Sequence, residues 1–309
     1  MRAGAAALTA RCRTGIHQSS GNPSADPAKD RADMRATSAA FLLMAAGTTD
    51  AASADLALHR ASYDLVLSQD ASDIVGAEGR IAVEIKADCE AYDLDYRFVA
   101  RFQQEQELVV TDQQTESRES LDGTWFEFET KTFVDSSPQD TVSGTATSEG
   151  GRTTVTFTQP GDHVVEIPLS LFPMQHTRSL IEKAQAGERI VETALFDGDD
   201  DPQKHLTSTA IIAPGGPARP GGSEAPATEP GEEPGTEARP ADQLSELQSW
   251  RISESFYNTD SDGDGMPVFE TAYTLYENGV SDDLVLRFDG YALEGGLASL
   301  ELLDRPECP

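Results

Sequence analysis

The sequence predicts a mainly β protein built on one large antiparallel sheet system. Beyond residue 54 the chain alternates apolar and polar residues with period two, run after run. The runs are short and evenly spaced, and Gly, Asp and Asn punctuate them. The helices that a parallel sheet needs at every crossover are missing.

About fourteen runs can be laid out, near 58–67, 76–86, 92–102, 107–116, 123–133, 138–147, 151–159, 164–168, 188–196, 204–213, 247–258, 266–277, 279–288 and 294–303. In "TWFEFETKTF", Phe126 and Phe128 share a face with Thr124, while Glu127, Glu129 and Lys131 point the other way. In "GRTTVTFTQ", Thr153, Val155 and Phe157 face in, and Thr154, Thr156 and Thr158 face out. "FETAYTLYE" sets Phe269, Tyr273 and Leu275 on one side, and "DLVLRFDG" does the same with Leu284, Leu286 and Phe288. Such β-branched and aromatic residues suit a pleated, half-buried surface. Asn278-Gly279 is a strong hairpin signal, since both residues tolerate the positive φ of tight turns.

One helix is expected, in "FPMQHTRSLIEKAQAG". Pro173 suits a first helical position, Leu180, Ile181 and Ala184 form an inner stripe, and Gly187 stops it. Ser179 and Glu182 also stand at capping-box spacing, which leaves a later start open. A single amphipathic helix must bury its stripe, so it plugs or flanks the sheet. Residues 213–243 are rich in Pro, Gly, Ala and Glu and carry almost no large apolar side chain. They cannot bury enough surface to offset their ordering entropy. They read as a disordered insertion in a single β-rich domain spanning 55–309; a linker between two domains is the other reading.

The N-terminal region reads as a targeting segment starting at Met34. Arg35 supplies the positive charge, 39–46 the short apolar core, and Ala52-Ser53-Ala54 an A-x-A site. Cleavage is expected after Ala54, making the mature chain a soluble periplasmic protein. Residues 34–54 are then the signal peptide, and residues 1–33 an upstream over-call or a disordered stretch. A disordered tail before a buried helix is the alternative. Nothing after residue 54 approaches the ~20 apolar residues of a membrane span.

The chain carries 23 Lys and Arg against 54 Asp and Glu, a formal charge of −31. Six basic and four acidic residues precede residue 55, so the remainder stands at −33. Such a field repels phosphate backbones, which excludes nucleic acid as a partner, and repels anionic lipid surfaces too. Of the three cysteines, Cys12 falls in the leader region, leaving Cys89 and Cys308. An even pair in an exported chain reads as one disulfide; two buried free thiols are the alternative.

"NTDSDGDGMP" raises the question of calcium. Asp260, Asp262, Asp264 and Gly265 fit positions 1, 3, 5 and 6 of an EF-type loop, but position 12 is Thr271 where a bidentate Glu is needed. A frame from Asn258 puts Phe269 there, and both flanks read as strands. A hairpin tip explains the stretch, because Asp and Gly make tight turns for their own reasons. "FDGDDD" at 196–201 is read likewise. Among the histidines of the mature chain, His59, His163, His176 and His205, none stands in a zinc or nucleophile motif. No catalytic, cofactor-binding or metal residue is therefore assigned, and no cofactor is expected.

Several stretches, in order, resemble one family: "LALHRASYDLVL", "GRIAVEIKADCEAYDLDYRFV", "GTWFEFET", "FPMQHTRSLIEKAQAGERI", "LFDGDDD" and "YTLYENGVSDDLVLRFDGYALEGGLASLELLDRPEC". Together they resemble the EipB family of alphaproteobacterial periplasmic proteins, over about 57–308 apart from the insertion. The resemblance implies a bent, spiral-like sheet of about fourteen strands around a central helix. It implies a disulfide between Cys89 and Cys308, and a role in cell envelope integrity. It supplies no catalytic residues. Three functions follow in order of preference: a non-enzymatic envelope protein acting through a protein, cell-wall or outer-membrane partner; a lipid or amphiphile carrier; and an unrecognised hydrolase. Apolar side chains lining an open groove would favour the carrier, and a filled interior the first.

Overall fold

The structure is a computed structural model of the chain, and it describes residues 55–69, 74–215, 240–259, 265–288 and 290–308. All of these belong to one compact unit. The leader, residues 216–239 of the insertion and the Asp260–Asp264 stretch lie outside the described residues.

Fourteen strands and one α-helix follow in order: β1 (His59–Gln69), β2 (Ile74–Ala87), β3 (Ala91–Gln104), β4 (Leu108–Ser120), β5 (Trp125–Val134), β6 (Ser137–Glu149), β7 (Arg152–Gln159), β8 (His163–Pro168), α1 (Pro173–Gln185), β9 (Ile190–Ala194), β10 (Thr207–Pro214), β11 (Ser249–Tyr257), β12 (Phe269–Tyr276), β13 (Ser281–Phe288) and β14 (Tyr291–Leu302). They form a single sheet in which consecutive strands pair, except β8 with β9, and β1 also pairs with β14. The remaining edges, β8 and β9, flank α1 in sequence. They approach at one parallel bridge, Leu171 with Leu195. There Leu171 N–H donates to the Ala194 carbonyl at 2.9 Å, and Phe196 N–H to the Leu171 carbonyl at 3.0 Å. The result is an antiparallel, nearly closed, barrel-like sheet.

The period-two pattern translates into burial. Phe126 and Phe128 on β5, and Thr153, Val155 and Phe157 on β7, are all buried, while Glu127 and Thr156 are exposed. Phe126, Phe128, Phe157, Phe172 and Phe196 then form one aromatic cluster, with ring centroids 5.3 to 6.3 Å apart. Such pairs add about 0.5–1.5 kcal/mol each beyond burial. A second cluster joins Tyr63, Leu65, Ile81, Phe98, Leu286 and Leu293. A third surrounds α1, where Leu180, Ile181 and Ala184 meet Ile85, Trp250, Ile252 and Leu275.

β12 departs from the expected face pattern. Thr271 and Ala272 are both buried, as are Leu275 and Tyr276, although β12 pairs with β11 in unbroken register. The extra residue lies on its neighbour β13, where Asp283 and Leu284 stand opposite Tyr273 and Asp283 takes φ +51°. Tyr276 packs with Val280 and with Leu244, the last residue of a 3₁₀ turn at Pro240–Leu244. At the other end of the insertion, Ala213 and Pro214 stay paired with Arg251 and Trp250.

Glycine is required at one close approach of the closing pair. A Cβ on Gly295 of β14 would lie 1.8 Å from the Asp64 carbonyl oxygen of β1.

Candidate functional site

The first turn of α1 has no cap of its own. Pro173 has no N–H, Phe172 at the N-cap makes no side-chain hydrogen bond, and no acid stands in the first turn. Unpaired N–H groups at a helix start must find acceptors elsewhere. They find one in Glu119, the last inward-facing residue of β4. Its Oε2 accepts the Met174 N–H at 2.8 Å and its Oε1 the Gln175 N–H at 2.7 Å. The helix starts at Pro173 and not at the later Ser179 option.

The corner between β4 and β5 is shaped for this contact. Ser120 Oγ accepts the N–H groups of Thr124 and Trp125 at 2.8 and 3.0 Å. Gly123 takes φ +69°, and a Cβ there would lie 2.4 Å from the Gln175 side chain. Arg178 Nη1 donates to the Leu121 carbonyl at 2.6 Å, fixing the helix from its second turn. Glu119 is only 3% exposed. Burial pushes its carboxyl up to about 7, against the two backbone bonds and the nearby Arg178 charge.

The same turn makes a second buried contact, to β11. His176 Nε2 and Glu254 Oε1 are 2.7 Å apart, and the Tyr273 hydroxyl donates to Glu254 Oε2 at 3.1 Å. Burial pushes the Glu254 carboxyl up, but the hydrogen bond and charge of His176 more than reverse this and hold it below its ordinary value. Burial, with Glu254 beside it, drives the Tyr273 hydroxyl well up. His176 Nδ1 is buried and has no hydrogen-bond partner among the described residues. The other histidines lie apart. His59 Nδ1 sits 2.8 Å from the Ala57 carbonyl, His163 stacks on Phe157, and His205 follows a 3₁₀ turn at Pro202–Lys204.

Cys89 and Cys308 are joined by a disulfide with a Cα–Cα distance of 5.5 Å. Cys89 occupies the β2–β3 turn, where Asp88 Oδ1 accepts the N–H groups of Glu90 and Ala91 at 2.8 and 2.9 Å. Those bonds, with Arg118, hold the Asp88 carboxyl down to about 2. Cys308 ends a tail that zips onto the start of the domain. Leu303 N–H donates to the Leu58 carbonyl at 2.7 Å, and Arg305 Nη2 reaches the Leu56 carbonyl at 2.9 Å and Asp55 at 2.5 Å.

A groove of about 400 Å³ lies on the other face of β1–β4, lined by Arg60, Ala82, Glu84, Asp95, Arg97 and Gln114. Its arginines are already paired: Arg60 with Glu84 and Glu301, Arg97 with Asp112 at 2.7 Å. In the acidic loop after β9, Asp197, Asp199 and Asp201 line a cavity of about 10 Å³. Among the described residues no three His, Cys, Asp or Glu converge as metal ligands. None of the described helices is long and apolar enough to cross a membrane.

Comparisons with known proteins agree on one relationship. A family model described as EipB-like matches residues 50–304. The cell envelope integrity protein EipB of Brucella abortus (strain 2308) is 34% identical over 277 residues, covering 87% of this chain and 94% of that protein. A crystal structure of a beta-barrel-like protein of domain of unknown function DUF1849 from Brucella abortus superposes with a TM-score of 0.69 at 31% identity. The match covers 81% of this chain and all of that one.

Proposed function

The chain belongs to the EipB-like family, and from that premise we propose that it is a non-enzymatic periplasmic protein that supports cell envelope integrity by binding a partner. The observation that carries this reading is the packed inner face. Three apolar clusters and α1 occupy it. The 400 Å³ groove is instead on the opposite face, where the paired Arg60 and Arg97 stand at its wall. The non-enzymatic part rests on His176, whose ring pairs with Glu254 and with no nucleophile. The periplasmic part rests on the A-x-A site and on the exposed Cys89–Cys308 disulfide, since such bonds persist outside the reducing cytoplasm.

Deletion of the gene tests the reading. Cells lacking it should become sensitive to detergent and to cell-wall antibiotics, and a plasmid copy should restore resistance. Unchanged resistance to both agents would contradict the envelope role.

A further inference from the structure

We propose that the free edge of β9 docks an extended segment of another protein, carrying apolar and basic residues in alternation along one face, as an added antiparallel strand. The proposal rests on the partner-binding reading above and names the kind of partner.

The register of β9 fixes where its backbone groups point. The Arg189 carbonyl accepts the Ile212 N–H at 2.8 Å, and Leu195 N–H donates to the Leu206 carbonyl at 2.9 Å. Between those bonds β9 and β10 pair without a shift, from Ile190 with Ile211 to Ala194 with Thr207. Successive residues of an antiparallel ladder turn their N–H and C=O groups alternately toward and away from the partner strand. Val191 and Thr193 therefore bond to β10, while Ile190, Glu192 and Ala194 point off the edge. Leu171 already uses the upper end of that edge: its N–H donates to the Ala194 carbonyl, and its carbonyl accepts the Phe196 N–H. The N–H groups of Ile190, Glu192 and Ala194 and the carbonyls of Ile190 and Glu192 have no partner among the described residues. An extended peptide backbone is the ligand that matches such a row. Ile190 and Glu192 each offer both groups, which is the pattern an antiparallel neighbour takes up. The β8 edge is less suited, because it ends at Pro168 and the 3₁₀ turn at Pro202–Lys204 lies beside it.

The side chains define the partner further. Ile190 is 65% exposed, and its register partner Ile211 on β10 is 56% exposed. Soluble proteins place charge or proline on an open edge to prevent pairing. Here an apolar pair flanks it instead. Glu192 stands two residues on, exposed on the same face. An added strand would set an apolar side chain beside Ile190 and a cation beside Glu192. A basic segment also suits a chain of formal charge −31. A second copy does not fit. Pairing about the middle of this edge would put Glu192 against its own counterpart, and like charges directly opposite are destabilising.

A capped nine-residue peptide tests the proposal, with valine and lysine alternating on one face and threonine filling the other. In the purified protein alone, the amides of Ile190, Glu192 and Ala194 should exchange within about tenfold of their intrinsic rates. Saturating peptide should slow them by at least about tenfold. The same peptide N-methylated at its valines and lysines keeps its charge but cannot donate to the edge, so it should bind at least about tenfold more weakly. That arm separates strand addition from ionic attraction. Glutamate in place of lysine should weaken binding too, and Glu192→Lys should reverse that preference. Amides already protected in the free protein would overturn the proposal, showing the edge filled by the chain itself or by a second copy. So would exchange unchanged by peptide, or equal binding of the methylated form. These wild-type results decide the matter whether or not the variant folds. An unchanged preference in folded Glu192→Lys would overturn it as well. Peptide binding tests the edge and gene deletion tests the envelope role, so either can fail alone.

Discussion

The Glu119 carboxylate of β4 accepts the backbone N–H of Gln175 at 2.7 Å, across 56 residues of sequence. A strand thus caps a helix that cannot cap itself. The pH dependence of stability follows with a definite sign. A carboxyl raised from 4.5 to about 7 contributes stability that is complete below pH 4.5 and lost as the pH rises to about 7. His59, lowered by burial, works the other way, losing its contribution as the pH falls below 6.5. Comparison with Glu119→Gln isolates the carboxyl. Between pH 5 and pH 8 the stability difference should move by about 2.5 kcal/mol in favour of the glutamine variant. Urea unfolding at both pH values measures it; a constant difference would contradict the assignment.

Closure of the sheet depends on Gly295. A methyl group there would meet the Asp64 carbonyl at 1.8 Å, a backbone atom that cannot rotate away. Gly295→Ala should part β1 from β14 and destabilise the protein by about 1–3 kcal/mol or more, the class of overpacking in a closed site. Gly161→Ala meets nothing within 4 Å and should change little. Equal unfolding midpoints for the two variants would refute the close approach.

The disulfide should stabilise the whole domain. It links residues 219 apart. The chain-entropy account gives about 5 kcal/mol for such a loop as an upper figure. Cys308→Ser should lower stability by about 2–5 kcal/mol and expose the tail from Leu303 to protease. Equal proteolysis rates with and without the bond would contradict this.

The expected cleavage after Ala54 would leave the core whole. Leu56 and Leu58 are buried in the cluster around α1, and Arg305 pairs with Asp55. A cut beyond Asp55 would remove core. N-terminal sequencing of the exported protein should begin at Asp55; a start inside the core segment, or an intact leader in the mature fraction, would overturn the assignment.

The strands were legible in the sequence because a half-buried strand writes its period directly, as in Thr153-Thr154-Val155-Thr156-Phe157. The helix was legible from Pro173 and Gly187. Three features were not. The burial of β12 on both faces hides its period, because Thr271 and Ala272 are adjacent and both buried. The ends of the Pro/Gly-rich insertion looked unpaired, yet Pro214 keeps a strand partner through its neighbours in β10 and Gln243 reaches the Leu300 carbonyl at 3.3 Å. The seat of α1 was invisible, since nothing local marks Glu119 or Glu254 as buried among 54 acidic residues. Only the strand order brings β4 and β11 to opposite sides of one helical turn.

On this reading the inner face of the sheet is a packed core and not a cargo site. Mature protein purified from the periplasm without detergent, denatured and extracted with organic solvent, tests it most directly. Mass spectrometry of the extract should find no lipid at stoichiometric amount. One lipid or amphiphile per chain would contradict the account and make the protein a carrier.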